Sequence, residues 1–221
     1  IAAGRYADAL SVIRESIPFP AVCGYVCPAP CELRCQLTRA ADAPEAIRAL
    51  KRFVADHASG EGPQHGKDET PPSGKSVAVV GAGPSGLTAA YLLARSGHRT
   101  TVFETLPQAG GMMRVGIPAY RLPRAILDAE IETIRRAGVE LRTGVTVASL
   151  DRLFEEGFDA VFLAVGAHRG ARMGIEGEDH PGVVDALSFL RQVHLDQSPQ
   201  VGKRVAIVGG DTSSAPVLFI N

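Results

Sequence analysis

The sequence has no excess of charge of either sign. Its 23 Lys and Arg residues almost cancel 24 Asp and Glu, leaving a formal net charge of −1. With those charges scattered along the chain, no long-range field draws in nucleic acid or an anionic membrane. No apolar run approaches the roughly 20 residues needed to cross a bilayer, and no basic stretch followed by an apolar one opens the chain. These absences predict a soluble, cytoplasmic protein with neither nucleic acid nor membrane as partner. Cysteine is scarce, with four residues in 221, and no pair has the C-x-x-C spacing of a dithiol exchange centre. No Met begins the chain, and the apolar run VLFIN closes it without turn chemistry, so it reads as a fragment. The composition is globular: 45% of residues are hydrophobic, enough to core one large domain or two modest ones.

Two helical patterns come first, at Tyr6–Ile13 and at Ala41–His57. The second has Pro44 near its start and an apolar stripe of Ile47, Leu50, Phe53 and Val54. Residues 59–74, SGEGPQHGKDETPPSG, are polar, rich in Gly and Pro and aperiodic, which predicts a linker between a region at 1–58 and another beginning at 75. From Lys75 the pattern becomes strand and helix in alternation. Strands are predicted at Lys75–Val80, Thr100–Phe103, Val139–Arg142, Asp159–Val165 and Arg204–Val208, with helices after Gly86, at Pro123–Ala137 and at Asp185–Val193. Such alternation implies an α/β fold with a parallel sheet.

The first of these strands runs into GAGPSG, where Gly81, Gly83 and Gly86 form G-x-G-x-x-G at the opening of a helix. The first glycine permits the tight turn, the second lets a pyrophosphate approach the backbone, and the third lets helix and strand pack closely. Unpaired N–H groups at the helix N-terminus then face the phosphates. A dinucleotide site also needs an acid about 20 residues on for a ribose hydroxyl pair, and Glu104 ends the next predicted strand. An ordinary strand-to-helix turn would use glycines but not that carboxylate.

All four cysteines fall in CGYVCPAPCELRC, residues 23–35, with three residues between each and the next. A large core and a cofactor domain argue against a disulfide framework. Zinc knuckles accept this spacing, and four thiolates complete a tetrahedral site. Four thiolates also suffice for one cubane iron–sulfur cluster, so zinc and iron–sulfur both stand on spacing alone. Pro28 and Pro30 exclude a helix through Cys27, whereas Cys31 and Cys35 are expected on one helical turn opened by Pro30.

GGMMRVGIPAYRLPRAILDAEI, residues 110–131, resembles a signature of the glutamate synthase small subunit and its relatives, among them the flavin-binding part of dihydropyrimidine dehydrogenase. VFLAVGAHRG at 161–170, IEGEDHPGVVDALSFL at 175–190 and the cysteine segment resemble the same family, so the likeness runs from about Ala21 to Gly210. The resemblance implies a helical iron–sulfur region at 1–58, a Rossmann-like FAD-binding domain at 75–200 and the start of a nested NAD(P)-binding domain at 201–221. It implies FAD along Gly81, Ala82, Gly83, Pro84, Ser85, Gly86, Glu104, Gly110, Gly111, Met113, Gly116, Ile117, Val147 and Gly166, with NADPH or NADH at Gly209 and Gly210. His168 and Arg169 follow the AVG turn as candidates for contact with cofactor.

For Cys23, Cys27, Cys31 and Cys35 the resemblance implies [4Fe–4S] ligation, in a family where a further cysteine group upstream shares two clusters with this one. No cysteine precedes Cys23 here. The second loop, VGGDTSSAP, also departs from the family, with Asp211 where a glycine is usual and Pro216 in the expected helix, which predicts weak nicotinamide binding. The implied activity is electron transfer from NAD(P)H through FAD and [4Fe–4S] clusters to a partner such as a glutamate synthase large subunit. The alternative is a cofactor-binding module without turnover.

Overall fold

The computed structural model describes residues 1–38, 43–58, 70–170 and 172–208, and the backbone of 217–220. The first region is helical: α1 (Tyr6–Arg14), α2 (Pro20–Val26), the single turn α3 (Pro30–Leu33) and α4 (Ile47–His57). Helix α2 was not expected. Pro20 does not merely end the preceding pattern but opens a new helix at its first position, where a missing N–H costs nothing. Helix α4 starts later than the apolar pattern suggested, because Ala46 is non-helical and the N–H of Arg48 is capped by the Glu32 carboxylate at 2.7 Å. The expected residues 41 and 42 lie outside the described residues. Helices α2 and α4 cross closely at Gly24, where a Cβ would fall 2.8 Å from the Arg52 Cα, and the Arg52 guanidinium sits over the Tyr25 ring at 3.9 Å. Tyr6 meets Phe53 edge to face, joining α1 to α4.

The second region alternates as predicted, with two short helices added: β1 (Ser76–Val80), α5 (Pro84–Arg95), β2 (Arg99–Glu104), the short turn α6 (Met112–Val115), α7 (Arg124–Arg136), β3 (Val139–Thr143), α8 (Leu150–Glu155) and β4 (Ala160–Leu163). The additions are α6 and α8, and α5 opens within the glycine loop. Strands β1 to β4 form one parallel sheet in the order β3-β2-β1-β4. The order reverses at β1, whose neighbours are β2 on one side and β4 on the other. Open α/β sheets bind ligands beyond the carboxyl ends of strands at such a switch point.

Beyond this sheet, β5 (Val183–Val184), α9 (Ala186–His194), β6 (Arg204–Ile207) and β7 (Val217–Ile220) follow. Strand β6 stands where predicted, but its partner β7 runs antiparallel to it and to β5. The apolar VLFI run, read above only as a chain end, is that partner, its β-branched and aromatic residues suiting a strand. Gly209, Gly210, Asp211 and Pro216 lie outside the described residues.

One cluster of buried side chains spans both regions. Phe19 and Val22 of the helical region pack with Val79, Leu87, Leu127, Ile131 and Ile134 beneath the sheet. Leu127, Glu130, Ile131 and Ile134 form the buried stripe of α7, so a carboxylate occupies an apolar face. Glu130, 3% exposed, accepts the N–H groups of Ala21 and Val22 at 2.8 and 2.9 Å. It therefore caps the N-terminus of α2 across 108 residues of sequence.

Burial pushes Glu130 up to about 7, against the opposing pull of the two N–H groups and of the Arg14 charge. A carboxyl raised in the folded state binds its proton more tightly there than in the unfolded chain. Its contribution to stability is complete below the ordinary carboxylate value and is lost as pH rises through about 7. Denaturant unfolding of the native protein between pH 4.5 and 8 is expected to show stability falling by on the order of 3 kcal/mol across that window from this group. Glu130→Gln removes that dependence, and an unchanged profile in the variant contradicts the assignment.

Candidate functional site: a dinucleotide pocket at the sheet switch point

Strand β1 ends at Val80, and the chain must turn at once into α5 while passing under β4. Gly81 makes that turn at φ +108°, and a Cβ there would lie 2.3 Å from the Ala164 carbonyl oxygen. A Cβ on Gly86 would lie 1.9 Å from the Gly81 carbonyl oxygen. Both glycines are thus demanded by the protein's own packing, as the motif predicts.

Gly83 differs. Its backbone is extended at φ −81°, ψ −175°, and a Cβ on it would meet only the Gly111 Cα, at 3.9 Å. Nothing in the fold forbids a side chain there. Gly111 is pressed toward it instead, with φ +49° and a hypothetical Cβ 2.7 Å from the Gly83 Cα. The two backbones therefore line a small bare cradle at the N-terminus of α5, with space for a ligand that approaches the main chain.

This cradle opens into a cavity of about 760 Å³, within the range of cofactor pockets. Of the expected residues, Gly81, Gly83, Pro84, Ser85, Glu104, Gly111, Val147 and Gly166 line it, drawn from the end of β2 and from the segments that follow β1, β2, β3 and β4. Glu104 is 8% exposed and oriented by two backbone donors, Ala82 N–H to Oε2 at 2.7 Å and Leu106 N–H to Oε1 at 2.8 Å. Its remaining lone pairs are available to ribose hydroxyls at the pocket rim.

The other expected residues stand elsewhere. Ala82 is fully buried, and its carbonyl receives the Gly110 N–H at 2.8 Å, tying the two loops together behind the pocket. Gly86 sits within α5. Met113 points into the core, and its neighbour Met112 lines the cavity. Gly110 packs on Arg114 and Leu127, and Gly116 on Met112. Ile117 borders the core, its carbonyl held by Arg124 Nη2 at 3.0 Å. The GIP segment thus supports the pocket wall.

His168 lines the pocket, and its Nδ1 is buried without a hydrogen-bond partner. Arg169 is exposed and does not line it. Arg191 also lines it, although it lies 87 residues beyond Glu104 in sequence and belongs to no recognisable motif. An unpaired buried nitrogen and a bare glycine cradle leave a hydrogen-bonding group and main-chain space for a dinucleotide, so the residues fit FAD.

The cysteines are all free. Cys23 lies in α2, Cys27 caps its C-terminus, Cys31 lies in α3 and is exposed, and Cys35 follows α3. Helix α3 opens at Pro30 as expected but stops at Leu33, because Arg34 leaves the helical region at φ −120°, so Cys31 and Cys35 do not share a helical turn. Burial raises the Cys23 thiol, opposed by Lys51 and assisted by Glu130 and Cys27, which argues against a reactive thiolate. The Ala29 N–H lies 3.3 Å from the Cys27 sulfur, in the manner of donors that stabilise metal-bound sulfur. Among the described residues no three His, Cys, Asp or Glu side chains are gathered closely enough to hold a metal ion. The donor chemistry suits an iron–sulfur cluster, whereas the arrangement does not centre the four thiols on one point. Also among the described residues, no helix is long and apolar enough to cross a membrane.

Gly81 and Gly83 give opposite expectations on substitution. Gly83→Ala is expected to leave folding stability within about 0.5 kcal/mol and to weaken FAD binding about tenfold or more. Gly81→Ala, strained and clashing with backbone, is expected to lose 2 kcal/mol or more, an order-of-magnitude figure. Unfolding curves and FAD titrations on both variants check this, and full FAD affinity in Gly83→Ala would count against the cradle.

Comparison with known proteins agrees with this geometry. The family described as pyridine nucleotide-disulphide oxidoreductase matches residues 75–214, and that described as dihydropyrimidine dehydrogenase domain II, 4Fe-4S cluster, matches residues 1–62. The β subunit of an NADP(+)-dependent formate dehydrogenase from Moorella thermoacetica is 46% identical over 94% of this chain and 33% of its own length. The β subunit of an NADPH-Fe(3+) oxidoreductase from Geobacter sulfurreducens is 41% identical over 95% of this chain and 32% of its own. The NADPH glutamate synthase small chain of Mycobacterium tuberculosis is 37% identical over 97% of this chain and 47% of its own. The chain thus spans about a third to a half of the length of these curated relatives. With a glycine cradle, a carboxylate at the end of β2 lining the same cavity, and both family matches in register, the chain belongs to the pyridine nucleotide-disulphide oxidoreductases, a flavin and NAD(P)H family, and carries a 4Fe–4S region of the dihydropyrimidine dehydrogenase type before that domain.

Proposed function

We propose that this chain is the FAD-holding and cluster-bearing part of an NAD(P)H-dependent oxidoreductase subunit that passes electrons to a partner protein. The observation that carries this reading is the Gly83–Gly111 cradle, space that the fold itself does not need, beside Glu104. Bound FAD supplies conversion between hydride and single-electron transfer, and a cluster supplies single-electron steps. The chain's own residues then bind and orient. Gly83, Gly111 and the N-terminus of α5 admit the diphosphate, Glu104 accepts ribose hydroxyls, and Val147 and Leu163 wall the cavity with apolar surface. Cys23, Cys27, Cys31 and Cys35 are the thiol ligands this segment offers to iron–sulfur. No nucleophile or general base is required of the protein.

The partner class proposed is the catalytic subunit of an oxidoreductase complex. The two relatives at 46% and 41% identity are named as β subunits of a formate dehydrogenase and of an NADPH-Fe(3+) oxidoreductase. A glutamate synthase large subunit, the partner first expected, remains the second reading, supported by the GIPAYRLP segment and the glutamate synthase relatives.

Anaerobically purified protein carrying this chain in its full-length context is expected to contain flavin, iron and acid-labile sulfide, and its flavin absorbance is expected to bleach on adding NADPH. A retained flavin that never responds to NADPH or NADH favours a binding module without turnover. Colourless protein with stoichiometric zinc overturns the reading.

A further inference from the structure

Glu104 brings a carboxylate to the cavity, and a dinucleotide brings a diphosphate with about two negative charges to the same space. Placing these anions together in a partly closed pocket makes a cation beside the α5 N–H groups favourable. Among the residues lining the cavity, only His168 and Arg191 are able to carry one. Arg191 belongs to α9, which is packed on α6, the turn immediately after Gly111. That packing is pinned by a specific contact: His194 Nδ1 lies 2.8 Å from the Val115 carbonyl oxygen. Asp185 caps the other end of α9, accepting the Ser188 N–H at 3.0 Å.

Arg191 lies three residues before His194, on the same face of the helix and one turn back. It therefore lines the same cavity as Gly111 and Met112. Its guanidinium makes no ion pair or hydrogen bond among the described residues, unlike Arg114 and Arg124, which are spent on Asp128 and on backbone carbonyls. An exposed arginine without a partner would mean little. This one is half-buried, carried by an anchored helix, and lines the same cavity as the Gly83 cradle.

We propose that Arg191 is a diphosphate-binding residue of the flavin site, delivered by α9 to the cavity that the N-terminus of α5 also lines. The inference rests on the flavin reading above and assigns a residue to it that neither motif nor spacing reveals. The guanidinium then offers a planar fork to the diphosphate oxygens beside the N–H groups of the α5 N-terminus.

The test is flavin binding by the native protein after removal of its flavin, compared with Arg191→Ala and Arg191→Lys, with FAD and riboflavin as the two ligands. Riboflavin carries the ring without the diphosphate. Arg191→Ala is expected to weaken FAD binding about 10- to 100-fold, the range for loss of a charge-assisted hydrogen bond. Riboflavin binding is expected to be unchanged, Arg191→Lys to recover part of the loss, and the salt dependence of FAD binding to flatten in Arg191→Ala. Equal weakening of FAD and riboflavin overturns the proposal in favour of a role at the ring or in packing. FAD affinity within twofold of native overturns it outright. If native protein takes up no FAD at all, the flavin reading falls together with this one, whereas an insensitive Arg191→Ala beside a sensitive Gly83→Ala overturns only the role of Arg191.

Discussion

The contact between main chain and main chain at the end of β1 constrains everything around it. Gly81 passes so close to the Ala164 carbonyl that no side chain fits between them, and Gly86 passes as close to the Gly81 carbonyl. Strand β4 can therefore pair alongside β1, and α5 can descend directly from the turn, only with hydrogen at these two positions. The consequence is a helix N-terminus aimed at the switch point of the sheet, where the reversal of strand order leaves a crevice. Gly83 and Gly111 then shape the crevice floor, the former free of any demand from the fold.

The helical region is attached to this sheet by apolar packing and by one buried carboxylate. Phe19 and Val22 enter the core beneath the sheet, while Glu130 reaches from α7 to cap the helix that carries Cys23. A carboxylate on an apolar stripe costs desolvation, and the two N–H groups offset only part of it, since burial still raises its proton affinity. What the arrangement confers is register: two adjacent N–H donors specify where α2 begins and how it is rotated, which dispersion contacts alone specify less sharply. The cysteine segment is held from its other side by Glu32, which caps α4, and by Arg48, whose Nη1 donates to the Cys27 carbonyl at 3.1 Å.

Much of the architecture was legible locally. The strands β1, β2 and β3 and the helices α1, α7 and α9 fall within a residue or two of the apolar patterns that predicted them, because each buries one face or both, whereas α5 begins three residues early, at Pro84. The helix α2 was missed since PAVCGYV has no polar face to give it a period, and α3 ended early, its Leu33 standing exposed. Strand β7 was invisible as a strand because its pairing lies with segments 10 and more residues away in sequence. In the site, the GAGPSG glycines and Glu104 were legible from spacing, whereas the exchange of Met112 for Met113 at the pocket wall depends on which way a four-residue turn rotates.

By itself, the sequence determined the main strands and helices of the sheet region, the glycine turn, the acid that ends β2 and the presence of four thiols in one short segment, because these are properties of neighbouring residues and of short-range sterics. Only the tertiary structure decided that Gly83 is spare while Gly81 is not, that Glu130 caps a helix 108 residues away, that the four thiols are not gathered at one point and that Arg191 lines the switch-point cavity. Each of those depends on distances between segments far apart in the chain, and such distances are set by how the core packs.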